Sequence, residues 1–177
     1  MKMEMKSKFL LVAKKNIIRI ILLVFLVFFG YSEIQHIENT YDKSLIKHTS
    51  VVVNKYKVQP DMAMYIVQTA KDASTATGLP LKLILGIIAT ESSFLVNAGS
   101  GKGGEGAKGL MQIHMTSGLM PVEPYDVQQN IYTGTSILKS FVDRYGMTRG
   151  TEAYNAGNKK RNPAYVKKVL TNSKDFI

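Results

Sequence analysis

The sequence predicts a mainly α-helical domain carried behind an N-terminal transmembrane or signal-anchor helix. Three observations predict it. A basic leader runs into an unbroken apolar stretch. From Pro60 onward apolar residues recur at helical spacing, and alternating strand patterns are scarce. Helix punctuation falls where that periodicity starts and stops, at Gly78, Pro80 and Asp126.

The leader holds Lys2, Lys6, Lys8, Lys14, Lys15 and Arg19, and the apolar run Ile20 to Tyr31 follows. Lysines ahead of such a run place the basic end in the cytoplasm. No small-x-small cleavage site follows Phe28 and Phe29, which favours an uncleaved anchor over a removed signal peptide. Residues 1–31 are therefore read as leader and anchor. Residues 32–59 are mixed and polar. Ile34, Ile37, Tyr41 and Leu45 are spaced almost helically, so this stretch reads as a stalk or as the helix leading into the domain.

The domain proper is expected over 60–177. Met62, Ile66, Thr69, Ala70 and Ala73 share a face of the first helix, and Gly78 stops it. Pro80 suits the first turn of a second helix, which runs through Leu83, Ile84, Ile87 and Ile88 to about Glu91. A glycine-rich loop covers Gly99 to Gly106, and a short helix is expected near Gly109 to Met115. Asp126 is placed to cap a longer helix with Ile131, Ile137, Leu138, Phe141 and Val142 inward. Two short helices follow, near Thr151 to Ala156 and Pro163 to Leu170.

Composition narrows the chemistry. The chain has 177 residues and 45% hydrophobic content, enough for one modest domain with a core. It has no cysteine, which excludes disulfides, thiolate catalysis and Cys-based zinc sites. The net charge is +10, and half of that excess lies in the first 30 residues. The remainder suits an anionic polymer or a membrane surface. No basic helix with interleaved aromatics and no zinc-finger spacing is present, so nucleic acid is not the expected partner. His36, His48 and His114 are not paired at metal-ligand spacing and read as surface residues. No metal or other cofactor is expected. The run Lys159, Lys160, Arg161 reads as a solvated turn.

Glu91 is the candidate acid. It ends the apolar helix segment Leu83–Thr90, where a carboxyl loses hydration and its pKa rises. A raised carboxyl pKa is what a general acid needs near neutral pH. Position alone favours a solvated helix end.

Four short motifs in order favour the acid instead. Glu91, Ser92, Ser93 and Phe94 form a Glu-Ser-x-aromatic segment. Gly109, Leu110, Met111, Gln112 and Ile113 follow. Then come Asn130, Ile131, Gly134 and Leu138 on one helix, and Ala153, Tyr154, Asn155, Ala156 and Gly157. With these motifs the chain resembles the lytic transglycosylases of the soluble-lytic-transglycosylase (SLT) type over about residues 60–170. The resemblance implies a lysozyme-like (goose-type/SLT) helical fold with a glycan groove. It implies cleavage of the β-1,4 bond between N-acetylmuramic acid and N-acetylglucosamine in peptidoglycan, with a 1,6-anhydromuramoyl product and no cofactor. Glu91 would be the catalytic residue.

Substrate contacts are expected from Gln112, whose amide could hold an acetamido group, and from Met111 as a soft apolar wall. Tyr154 is expected to hydrogen-bond near Glu91, and Asn155 to contact sugar or fix a loop. Ser100 is the candidate at the position where the family often places a serine. Three alternatives stay open: Met111 as core, Asn155 and Gly157 as shapers of a helix end, and Ser100 as an ordinary loop residue.

The chain departs from the family in its long glycine-rich link, which carries Glu105. Goose-type lysozymes have an acid at a similar offset, so a hydrolytic muramidase in which Glu105 positions water is the alternative. A third reading is a non-catalytic wall-binding module. The expected partners are peptidoglycan strands and, through the anchor, the membrane. A secretion or conjugation apparatus also suits a small anchored enzyme that opens the wall. The catalytic domain would face the wall outside a single-pass membrane anchor, or be secreted.

Overall fold

The computed structural model describes residues 23–30, 43–99, 106–114, 123–157 and 161–177. Ser100, Glu105, His36 and most of the leader lie outside the described residues. Residues 23–30 are helical, with exposed apolar side chains from Leu23 to Phe29. Among the described residues no helix is long and apolar enough to cross a membrane.

The compact unit runs Leu45–Ile177, so it starts well ahead of Pro60. The reason is apolar: α1 (residues 43–56) buries Leu45 and Val52 in the core. Its Tyr56 ring lies 4.7 Å from the Phe94 ring, and Phe94 lies 6.0 Å from Phe176. His48, expected at the surface, is buried beside Phe176 for the same reason.

α2 (Pro60–Thr77) buries Ala63, Ile66, Val67, Thr69, Ala70 and Ala73. Met62, expected on that face, stays partly exposed at its edge. Gly78 ends the helix at φ 72°, and its N–H reaches the Ser74 carbonyl at 2.8 Å. α3 (Leu81–Glu91) is buried almost all round, from Leu83 to Ala89. Pro80 is its N-cap rather than a residue of its first turn.

The short helix expected near Gly109 to Met115 does not form. Two-residue strands replace it, β1 (Ala107–Lys108) and β2 (Ile113–His114), paired antiparallel. Gly109 at φ 76° and Gln112 at φ 50° lie in the left-handed region, which no α-helix admits. α4 (Val127–Tyr145) is capped as expected, with Asp126 accepting from the Gln129 N–H at 2.8 Å. α5 (Met147–Ala156), α6 (Pro163–Ser173) and a 3-10 turn (Lys174–Phe176) complete the unit.

α3 sits at the centre and packs on α2 and α6, while α4 packs on α2 and α5. Gly86 sets the α3–α6 approach. A β-carbon there would meet the Val169 carbonyl oxygen at 2.9 Å and the Ser173 hydroxyl closer still. The fold is mainly helical, and it brings the C-terminus of α3, the β1–β2 hairpin, α4 and α5 around one cleft.

Candidate active site

The end of α3 is built by its own side chains. The Thr90 and Ser92 hydroxyls fold back onto the Gly86 and Ile88 carbonyls at 2.7 and 3.1 Å, and the Ile88 carbonyl also takes the Ser92 N–H at 3.0 Å. The chain then turns through two left-handed residues, Ser93 at φ 51° and Phe94 at φ 64°. Such positions cost on the order of 1–3 kcal/mol each and persist only where the surroundings enforce them. Here the Phe94 ring, 1% exposed, is enclosed between Tyr56 and Phe176. The turn leaves Glu91 half-buried on the cleft wall.

The cleft has a volume of about 680 Å³, within the usual range of roughly 300–1,000 Å³ for ligand sites. Glu91, Gln112, His114, Tyr154 and Asn155 line it, with Ile137, Ser140 and Phe141 of α4 opposite. Ile137, expected inward, packs against the core and also lines the cleft, whereas Phe141, expected inward too, faces the cleft. Glu91 is the one acidic side chain among the described residues of the lining.

Burial pushes the Glu91 carboxyl up from its ordinary pKa, and this outweighs two effects that lower it. The larger of the two is a hydrogen bond from the Tyr165 hydroxyl to Oε1 at 2.6 Å. The smaller is the charge of Lys168, whose Nζ lies 3.4 Å from the Thr90 carbonyl at the end of α3. The Tyr165 hydroxyl is itself driven far up by burial and by the neighbouring carboxylate, so it stays a donor.

Sequence reasoning missed Tyr165 and put Tyr154 in its place. The Tyr154 hydroxyl donates instead to the Met111 carbonyl at 2.7 Å, which ties α5 to the hairpin turn. Burial and the nearby Glu91 charge hold that hydroxyl protonated. The signal for Tyr165 lies in the segment Asn162-Pro163-Ala164-Tyr165: a capping residue, Pro at the first helical position, and a polar aromatic in the first turn of a helix packed on α3.

Met111 is not a wall for sugar. It is fully buried, with its sulfur 3.6 Å from the Thr135 hydroxyl, and a β-carbon on Gly134 would strike it at 2.7 Å. Its N–H donates to Asn130 Oδ1 at 2.8 Å. The Asn130 amide also donates to the Lys108 and Pro124 carbonyls at 2.9 and 2.8 Å. One buried side chain thus fixes the hairpin turn against α4.

Gln112 does line the cleft. Its Nε2 donates inward to the Ala98 and Gly109 carbonyls at 3.1 and 2.9 Å. That uses both amide protons and leaves Oε1 as the atom that can serve a ligand. Asn155 lines the cleft and accepts from Asn162 Nδ2 at 2.7 Å. His114 is exposed, as expected, but on the cleft wall.

Residues 68–174 match the family model described as the transglycosylase SLT domain. The chain belongs to that family. It is 34% identical over 113 residues to a transglycosylase of Enterobacteria phage PRD1, covering 59% of this chain and 42% of that protein. Among solved structures it is similar to an inactive mutant of lytic transglycosylase Slt from Pseudomonas aeruginosa. The identity is 22% and the TM-score 0.53, over 62% of this chain and 23% of that one. That likeness shows a shared fold. It is also similar to the 70 kDa soluble lytic transglycosylase SLT70 from Escherichia coli. There the identity is 28% and the TM-score 0.43, over 62% of this chain and 19% of that one. The chain thus spans less than half the length of each of these relatives. Its SLT domain contains Glu91, Gln112, Tyr154, Asn155 and Tyr165.

Proposed function

We propose that this SLT domain is a peptidoglycan lytic transglycosylase with Glu91 as its acid and then its base. One observation carries the reading: a half-buried carboxyl of raised pKa, held at one oxygen by Tyr165, in a sugar-sized cleft with no second acid among the described lining residues. Ordinary glycosidases use two carboxylates. The described lining supplies one carboxyl, Glu91, and in the proposed reaction that group moves the proton both ways.

The Tyr165 bond occupies Oε1 and leaves Oε2 to exchange the proton. Glu91 protonates the oxygen leaving the muramoyl C1, and the C1–O bond breaks. The substrate's N-acetyl group stabilises the positive charge at C1. The muramoyl C6 hydroxyl then attacks C1, and the Glu91 carboxylate takes its proton. The C6–O–C1 bridge forms, the acid is regenerated, and no water is consumed. Tyr165 steadies the carboxylate during the interval in which it is charged, because its bond favours that form. Gln112 Oε1 is the acceptor for a substrate N–H or hydroxyl. We further propose that residues 1–31 anchor the chain in the cell membrane and that the domain remodels or locally opens the wall outside it.

The test is mass spectrometry of the products released by the full-length chain from purified cell walls. Anhydromuropeptides are expected. Products with free reducing ends would instead mean hydrolysis, the reaction that assigns a water to Glu105.

A further inference from the structure

Tyr165 stands at a mechanically weak point. It is the third residue of α6, and the first turn of a helix frays unless its amides are capped. The rest of α6 is fixed on α3, where Asn172 donates to the Thr90 hydroxyl at 2.9 Å and Ser173 fills the space over Gly86. The first turn depends on other partners. Asn162 supplies them in both directions. Its Oδ1 accepts from the Tyr165 N–H at 3.1 Å, and its Nδ2 donates to Asn155 Oδ1 at 2.7 Å.

The residue before it adds a second tie. The Arg161 guanidinium grips the Glu152 carboxylate, Nε to Oε2 at 2.6 Å and Nη2 to Oε1 at 3.2 Å. Arg149 holds Glu152 from within α5 at 2.9 Å. Two consecutive residues therefore latch the start of α6 to the C-terminal half of α5, the helix that carries Tyr154 and Asn155 into the cleft.

We infer that Asn162 is a positioning residue for the reaction, which aims the Tyr165 hydroxyl at Glu91 by capping the first turn of α6 and bracing it on Asn155. This rests on Glu91 being the acid of the proposed reaction. A hydrogen bond at 2.6 Å to a carboxylate tolerates little displacement of its donor. Loss of the cap loosens the turn that carries the donor and leaves the α3–α6 packing in place.

The groups facing Glu91 among the described residues are few enough for a clean readout. They are Tyr165 and Lys168 on α6, Tyr154 on α5 and, along the cleft, His114 on β2. α4 contributes Ile137, Ser140 and Phe141 to the cleft, none of which titrates.

The experiment uses the full-length chain with Glu91 titrated by carboxyl NMR, and with kcat and KM measured on cell walls across pH. Tyr165→Phe removes the donor and sets the reference, moving the Glu91 titration upward. Asn162→Ala is expected to move it in the same direction by a smaller amount. Its kcat should fall about fivefold, with KM almost unchanged. Asn162→Asp keeps the cap acceptor but loses the donor to Asn155, so it should restore only the part of each effect that the cap supplies. Asp126→Ala removes the comparable cap of α4, so it reports the effect of cap loss in general. It should lower Tm and leave the Glu91 titration where it is. An Asn162→Ala titration matching wild type while Tyr165→Phe shifts would overturn the inference. So would an equal shift in Asp126→Ala, or no shift in Tyr165→Phe. If the NMR shifts appear in a chain that releases no product, the positioning stands and the lytic reading falls.

Discussion

Glu91 and Glu152 are the same amino acid, both withdrawn from water, and the protein treats them in opposite ways. Glu91 meets one neutral hydroxyl and a lysine at a distance, and burial wins, so its carboxyl is held up. Glu152, 1% exposed, lies between two guanidiniums. The Arg161 hydrogen bond, helped by Arg149, holds its carboxyl below the ordinary range. Burial alone therefore says nothing about the role of a carboxyl. The number of cations aimed at it decides whether it stores a proton or anchors a loop.

The widest gap between the two lies in turnover. Glu91→Gln keeps an acceptor for Tyr165 but has no proton to give, so product release should fall about 10³-fold. Glu152→Gln should reduce it only as far as the start of α6 loosens. A Glu91→Gln chain that still released anhydromuropeptides at the wild-type rate would end the comparison. Next in size, Tyr165→Phe should lower kcat about tenfold, the loss of one charge-assisted hydrogen bond. It should also shift the alkaline limb of the pH–rate profile upward, since that bond lowers the Glu91 pKa.

Stability should separate the same pair by sign. The folded pKa of Glu91 is raised, so its ionisation costs stability above the ordinary carboxylate value, and the cost disappears in acid. Glu91→Gln should therefore raise Tm at neutral pH. The folded pKa of Glu152 is lowered, so its stabilisation is present above the ordinary value and is lost as pH falls through the lowered one. Glu152→Gln should lower Tm at neutral pH. Both differences should shrink toward zero in acid, and thermal melts across pH read them directly. The smallest effect belongs to Lys55 and Asp175, a 2.6 Å pair with half-exposed partners. A double-mutant cycle there should give less than about 1 kcal/mol, falling with salt.

The sequence made Glu91 legible because its motif is local and its helix strongly apolar. Helix ends at Gly78 and Asp126 were legible because single residues carry those signals. The Glu152 clamp was not, since it joins residues whose side chains meet only in the folded chain: Arg161 read as part of a solvated turn. Tyr165 escaped for the same reason, because its partner lies on another helix. The sequence predicts a helix near Gly109 to Met115 because periodicity carries no sign of φ, and two residues there are left-handed. Met111 looked like a ligand contact because apolar residues of the core and of a cleft wall have the same composition.

Asn130 has one more implication. Its three bonds, to the Met111 N–H and to the Lys108 and Pro124 carbonyls, set the hairpin turn from behind, through α4. The turn that carries Gln112 is thus held from α4, and its bonds to the Ala98 carbonyl hold it from the far side as well. Asn130 does not itself line the cleft, yet replacing it should disturb the cleft wall, because the turn it holds is the one that presents Gln112.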